Sequence, residues 1–289
     1  VLFRSKFYGV LETDFLVLNL NRNQPRKRWD TCLQAFAEVV ARRPDAPIKL
    51  VIATDLKGAW DLIQLYQREL KKRNVDQDAG MSRIVIPGHP QMLSDQETNF
   101  LYNLADIGVN TCDGEGFGLC NFEQGGIGIP QVVPRLGGFL EFFDDESACL
   151  VDPITTLYVD ASRDGVGGES QLTRSIDYAD AILKLYDDAE FRKRIGENSR
   201  RRILKDYSWS IIADRFDDII KATIPSTHPA LSSNIIPLLS PVHVSGESMD
   251  LSKVREALGE TVQPEKAAIA DEIAAIKLRL EELIRLSMG

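Results

Sequence analysis

Apolar residues in the first half of the chain come in short blocks. They are Phe15-Leu16-Val17-Leu18-Asn19-Leu20, Ile48-Lys49-Leu50-Val51-Ile52-Ala53, Arg83-Ile84-Val85-Ile86, Ala105 to Thr111 with Ile107 and Val109, Gln131-Val132-Val133-Pro134, and Ala148-Cys149-Leu150-Val151. Blocks this short and this apolar predict strands of a parallel sheet buried on both faces. Between them apolar residues recur at spacings of three and four. Leu33, Phe36, Ala37 and Val40 predict a helix from about Trp29 or Asp30 to Arg43, closed by Pro44 and Pro47. Leu62, Leu65, Tyr66 and Leu70 predict a second over Trp60 to Arg73. Ser94, with Glu97 three residues on, reads as a capping box opening a third that carries Phe100, Leu101 and Leu104. Leu119 to Ile127 can be helical, and Gly137-Gly138 opens a short helical turn through Phe142. Strand alternating with helix predicts an α/β, Rossmann-like parallel sheet with helices on both faces. Ligands of such sheets bind at the carboxyl ends of the strands.

The rhythm changes after Pro153. Arg163 to Ser170 reads as a glycine-rich loop. Three helices are then expected, at about Thr173 to Tyr186, Ala189 to Lys205 and Ser208 to Thr223, with Trp209 tucked into the core. Prolines 225, 229, 237 and 241 among many serines mark a linker. The tail resumes helix near Asp250 and from Pro264 to Ser287, where Ile269, Ile273, Ile276, Leu280 and Leu283 form a seam of about two heptads. That seam fits self-association as a homo-oligomer, or docking on the chain's own globular domain. The expected organisation is a Rossmann-like domain over 1–224, a Pro/Ser-rich linker over 225–249 and a helical tail over 250–289.

Composition narrows the function. A net charge of −9 argues against a nucleic-acid partner, which wants a basic surface. Cys32, Cys112, Cys120 and Cys149 are scattered without metal-ligand spacing and read as reduced thiols of a cytoplasmic protein. No apolar run approaches the ~20 residues of a membrane span.

The candidate chemistry centres on Asp113-Gly114-Glu115-Gly116-Phe117-Gly118-Leu119-Cys120-Asn121-Phe122-Glu123. A strand, a glycine-bearing turn and a helix N-terminus make a site for anions and hydroxyls, because free N–H groups point outward there. Glu115 and Glu123, with seven residues between them, can each accept two hydroxyl hydrogen bonds, as a sugar or ribose diol offers. The loop after the first strand, Asn21 to Arg28, carries Arg22, Arg26, Lys27 and Arg28. Its lack of G-x-G-x-x-G argues against a dinucleotide dehydrogenase.

Glu115-Gly116-Phe117-Gly118-Leu119 with Glu123 resembles the Glu-x7-Glu signature of the retaining GT-B glycosyltransferases of family GT4. Gly125 to Pro130 with Val132-Val133, Gly137-Gly138 with Glu141, Leu150-Val151-Asp152-Pro153 and Tyr207-Ser208-Trp209 are similar to further segments of that family. Arg22 and Lys27 match its diphosphate-binding arginine and lysine. The likeness covers roughly Phe15 to Ala222, the C-terminal, donor-nucleotide-binding half of the fold. Cys120-Asn121-Phe122 and Gln124 depart from the usual residues.

The resemblance implies transfer of a sugar from a nucleotide-diphosphate sugar to a carbohydrate, lipid or protein acceptor, with retention and without a metal or other cofactor. It implies that Arg22 and Lys27 meet the diphosphate, and that Glu115 and the amides of Gly116, Phe117, Gly118 and Leu119 hold the transferred sugar. It puts Glu123 on the ribose, and Gly88 and His89 by the base. Arg26 and Arg28 read as solvated surface cations. Only about fourteen residues precede the first strand, so the acceptor half either precedes Val1 or comes from another chain. The alternative is a non-catalytic relic of a donor domain, serving as a nucleotide-binding or assembly module through its helical tail.

Overall fold

A computed structural model describes residues 10–87, 93–160, 162 and 167–223. Six strands form one parallel sheet: β1 Phe15–Asn19, β2 Ile48–Ile52, β3 Ile84–Val85, β4 Ile107–Val109, β5 Gln131–Pro134 and β6 Cys149–Val151. Their spatial order is β3-β2-β1-β4-β5-β6. Helices α1 Trp29–Arg42, α2 Leu62–Lys72, α3 Gln77–Met81, α4 Asp95–Leu104, α5 Leu119–Gly126 and α6 Phe139–Phe142 connect them, and α7 Ser175–Asp187, α8 Ala189–Tyr207 and α9 Trp209–Thr223 follow.

The alternation within β1 divides the core. Phe15 and Val17 face the cluster containing Leu33, Phe36, Leu62, Tyr66 and Ile182, whereas Leu16 and Leu18 face Leu101, Tyr102 and Leu104. Successive strand residues point to opposite faces, so an unbroken apolar strand needs helices on both. A third cluster joins Cys112, Val133, Phe139, Phe142, Phe143 and Ile203 beside the last strands. The expected Ser94–Glu97 capping box is present, with Ser94 Oγ accepting from the Glu97 amide and Glu97 from the Ser94 amide. The second helix starts at Leu62 rather than Trp60, because the Asp61 carboxylate caps it by accepting from the Gln64 amide at 3.1 Å.

Two expectations change. The segment read as a loop contains a strand. Thr155–Val159 (β7) and Gly168–Leu172 (β8) form an antiparallel ribbon, tied to the main domain where the Gln171 amide donates to the Asp113 carbonyl at 2.8 Å. Trp209 is 88% exposed rather than buried. Tyr207 takes the place intended for it, its ring against Phe122 and Phe142 and its hydroxyl donating to the Glu141 carbonyl at 2.6 Å. The short helix α3, capped by Asp76, had no periodic signal to predict it. The linker, the tail and the helical seam lie outside the described residues. Among the described residues no helix is long and apolar enough to cross a membrane.

Candidate functional site

In this strand order β1 and β4 lie side by side while their connections run to opposite edges of the sheet. The loops after them therefore diverge and leave a crevice, the usual ligand position in such sheets. A cavity of about 350 Å³ opens there, lined by Arg22, Lys27, Asn110, Glu115, Gly118 and Leu119 among others.

The loop after β1 is held from several sides. The Trp29 Nε1–H donates to the Arg22 carbonyl at 3.2 Å. The Asn23 amide donates to the Asp55 and Trp60 carbonyls at 3.0 and 2.8 Å, and its oxygen accepts from the Trp60 amide. Arg22 is thus presented on a fixed backbone. Its exposed side chain has no hydrogen bond or ion pair among the described residues. Pro25–Lys27 forms one turn of 3-10 helix that closes on Arg28 in the left-handed region, at φ 48°.

That turn is joined to the loop after β4. The Asp113 amide donates to the Arg26 carbonyl at 3.0 Å, and the Thr111 hydroxyl to the Arg28 carbonyl at 2.9 Å. Arg26 donates to the Gly114 carbonyl at 3.2 Å and lies 3.5 Å from a Glu115 oxygen. Lys27 is buried and ion-paired with Glu115. Arg28 makes a two-pronged contact with Asp30 at 2.8 and 2.7 Å and lies 3.7 Å from Asp113. The hydrogen bond with Asp30 raises its pKa against the opposing effect of burial, and Asp113 adds to the rise. Arg26 and Arg28 are therefore not solvated surface cations. They tie the two loops together, as paired cations do where full hydration is lost.

Gly118, the N-cap of α5, has φ 89°, and a Cβ there would lie 2.4 Å from Phe139 Cε1. Gly137, at φ 49°, lets the turn before α6 approach the loop, since a Cβ there would lie 2.3 Å from the Glu115 carbonyl oxygen. The Gly138 amide donates to that same carbonyl at 3.1 Å. Gly114 and Gly116, by contrast, have open space around them. Phe117 leans on Phe122 and Phe142, with ring centres 5.1 and 5.3 Å away, which supports the loop from behind.

The structure thus brings Arg22, Lys27, Glu115, Gly118 and Leu119 into one cavity. Gly116 and Phe117 sit on the exposed outer part of the same loop. Glu123 is exposed in the second turn of α5, away from the cavity lining, and its carboxylate accepts from the Tyr102 hydroxyl at 2.8 Å. Burial, with Cys120 and Glu123 nearby, keeps that phenol protonated far beyond its ordinary range. Gly88 and His89 lie outside the described residues. Sequence reasoning missed Asn21, Thr54, Asn110 and Asn121, which also line the cavity. Single polar residues on three loops and one helix make no motif, so only the fold reveals them.

The family model for group 1 glycosyl transferases matches residues 14–188, more than half of the chain. A D-inositol 3-phosphate glycosyltransferase of Pseudarthrobacter chlorophenolicus is 28% identical over 246 residues, covering 84% of this chain and 50% of that protein. A GDP-mannose-dependent monoacylated alpha-(1-6)-phosphatidylinositol monomannoside mannosyltransferase of Corynebacterium glutamicum is 24% identical over 218 residues, covering 75% and 50%. The chain spans about half the length of these curated relatives. Among solved structures, the C-terminal domain of a group 1 glycosyl transferase, LpcC of Francisella tularensis, aligns with TM-score 0.53 at 19% identity, over 71% of this chain and 90% of that one. HepE of Anabaena, crystallised with UDP and glucose, aligns with TM-score 0.52 at 15% identity, over 73% and 49%. Strand order, the crevice between β1 and β4 and the family match agree, and the chain belongs to the group 1 glycosyltransferases, with the fold of the C-terminal domain of the GT-B enzymes of family GT4.

Proposed function

We propose that this chain is the donor-binding half of a glycosyltransferase that takes a sugar from a nucleotide-diphosphate sugar with retention of anomeric configuration. The observation that carries the reading is the meeting of Arg22, Lys27, Glu115 and the N-terminus of α5 in one cavity. As the anomeric C–O bond breaks, its electron pair stays on the diphosphate, where negative charge grows. Arg22 supplies a fork of donors and Lys27 a point charge, so the cations rather than a metal meet that charge. The N-terminus of α5 adds free amides aimed at an anion. The departing phosphate takes the proton of the acceptor hydroxyl, so no side chain of this half need be a general base.

Glu115, ion-paired with Lys27, holds hydroxyls of the transferred sugar. Glu123 holds the ribose. Its bond from Tyr102 fixes one oxygen and leaves the other for a diol. The amides of Gly116 and Phe117 complete the sugar site, and Gly88 and His89 border the base. HepE was crystallised with UDP and a relative is named for GDP-mannose, so uridine and guanosine nucleotides are the first to try. The acceptor, carbohydrate, lipid or protein, is bound by residues beyond this half. Titration calorimetry of the 289-residue chain with UDP, GDP and ADP tests the reading. Binding of one of them, weakening as salt is added, is expected. No heat from any at millimolar concentration would end it.

A further inference from the structure

Beneath the cavity runs a line of buried side-chain amides whose direction is fixed by the backbone at both ends. The Cys112 N–H donates to Asn110 Oδ1 at 3.0 Å, so the other Asn110 atom, Nδ2, must be the donor. It donates to Asn121 Oδ1 at 2.8 Å and, more weakly, to Asn21 Oδ1 at 3.4 Å. Asn121 Nδ2 donates to Gln131 Oε1 at 2.8 Å. Gln131 Nε2 donates to Gln124 Oε1 at 3.1 Å and to the Ile129 carbonyl at 2.9 Å. Gln124 Nε2 donates to the Tyr102 carbonyl at 3.3 Å. A backbone N–H can only donate and a carbonyl can only accept. No amide in the line can turn over without setting like atoms against each other in a buried place.

The line is built into the fold. Gly108 of β4 makes room for it, since a Cβ there would lie 2.1 Å from Gln124 Oε1 and 2.3 Å from Gln131 Oε1. Asn121 and Gln124, two departures from the family's usual residues, thus belong to one unit with Gln131.

Asn110 and Asn121 border the cavity, and so does Asn21, which is half-buried and next to Arg22. Its Oδ1 is taken by Asn110, and one Nδ2 hydrogen goes to Asn19 Oδ1 at 2.7 Å. An amide nitrogen carries two hydrogens. The second has no partner among the described residues. We propose that Asn21 is a ligand-contacting residue of the donor pocket, oriented through Asn110 and Asn121 so that this hydrogen is donated to an oxygen of the bound nucleotide sugar. The proposal rests on the donor-site reading above. An oxygen of the diphosphate and an oxygen of the sugar are the two sources of that acceptor, and Asn21 lies beside Arg22 in a cavity that also holds Glu115.

The experiment is calorimetry of the full chain with UDP, UDP-glucose, GDP and GDP-mannose, for the unaltered protein, Asn21→Ala, Asn21→Ser and Asn21→Asp, with melting curves to check the fold. Asn21→Ala should weaken the nucleotide sugar that binds by at least about threefold, and Asn21→Ser by less, since its hydroxyl keeps a donor. A loss shared by the sugar-free nucleotide assigns the contact to the diphosphate, and a loss confined to the nucleotide sugar assigns it to the sugar. Asn21→Asp keeps the shape but turns an acceptor toward the ligand. It should bind worst of the three, since a carboxylate oxygen accepts and cannot donate. If the unaltered chain binds a nucleotide sugar and Asn21→Ala and Asn21→Ser bind it equally well, the inference is wrong and the donor site stands. If the unaltered chain binds none of the four, the donor reading falls and this inference falls with it.

Discussion

In the proposed donor site, Lys27 and Glu115 would serve the two halves of a sugar nucleotide. They are ion-paired with little exposure to solvent, and Arg26 stands 3.5 Å from the other Glu115 oxygen. A diphosphate arriving at Lys27 competes with Glu115 for the same ammonium. Removing the carboxylate therefore frees Lys27 while taking away an acceptor for sugar hydroxyls. Glu115→Ala should leave the affinity for the nucleoside diphosphate unchanged or raise it, yet weaken the nucleotide sugar relative to it by about ten- to a hundredfold. Calorimetry with both ligands reads that ratio. An equal change for both would detach Glu115 from the sugar. Lys27→Ala should act otherwise, weakening both ligands and flattening the salt dependence, since one cation facing the polyanion is gone. A salt slope the same as in the unaltered chain would move the diphosphate away from Lys27.

At the scale of elements, the glycine-bearing turn between β4 and α5 is held at two points and free between them. Gly118→Ala has to adopt a left-handed φ, at a cost of about 1–2 kcal/mol, and drive its Cβ into Phe139. Gly116→Ala meets open space. Urea denaturation should show a loss of at least about 2 kcal/mol for the first and under about 0.5 for the second. Similar losses for the two would mean that the turn is not held by Phe139.

The same contrast shows what a sequence carries. The six strands of the sheet were legible because burial on both faces writes short apolar blocks. The ribbon of β7 and β8 was not, because β7 is almost wholly exposed and has no buried face to impose alternation. Arg22 and Lys27 were legible through their resemblance to the family's motif, and Glu115 through its glycine-bearing loop. The ties of Arg26 to Glu115 and of Arg28 to Asp113 were not, because those partners lie more than eighty positions away. Trp209 misled because an aromatic at a helix start fits a core position, and Tyr207, two residues earlier, had already filled it.

For the molecule as a whole, the cavity draws all its lining from residues 20–121. Cutting the chain after Thr223 should leave nucleotide affinity within about twofold, and a larger loss would give the tail a part in the site. Stability should be limited on the alkaline side by buried thiols. All four cysteines are free. Burial pushes Cys32 and Cys112 up to about 12 and Cys149 up to about 11, from an ordinary value of 9.0. A group whose folded pKa is raised contributes its full stability below the unfolded pKa and loses it as pH rises toward the folded value. Between about pH 9 and pH 11 the unfolded chain gives up these protons and the folded chain keeps them. Each thiol then lowers stability by up to about 1.4 kcal/mol per pH unit. Burial raises the Tyr66 and Tyr178 phenols as well, so they join at higher pH. Urea unfolding from pH 8 to pH 11 should show little change up to about pH 8.5 and a steepening fall above it. The double variant Cys32→Ala, Cys112→Ala should start from lower stability, because two buried side chains are truncated, yet fall less steeply. Parallel slopes for the two proteins would show that the thiols do not set the alkaline limit.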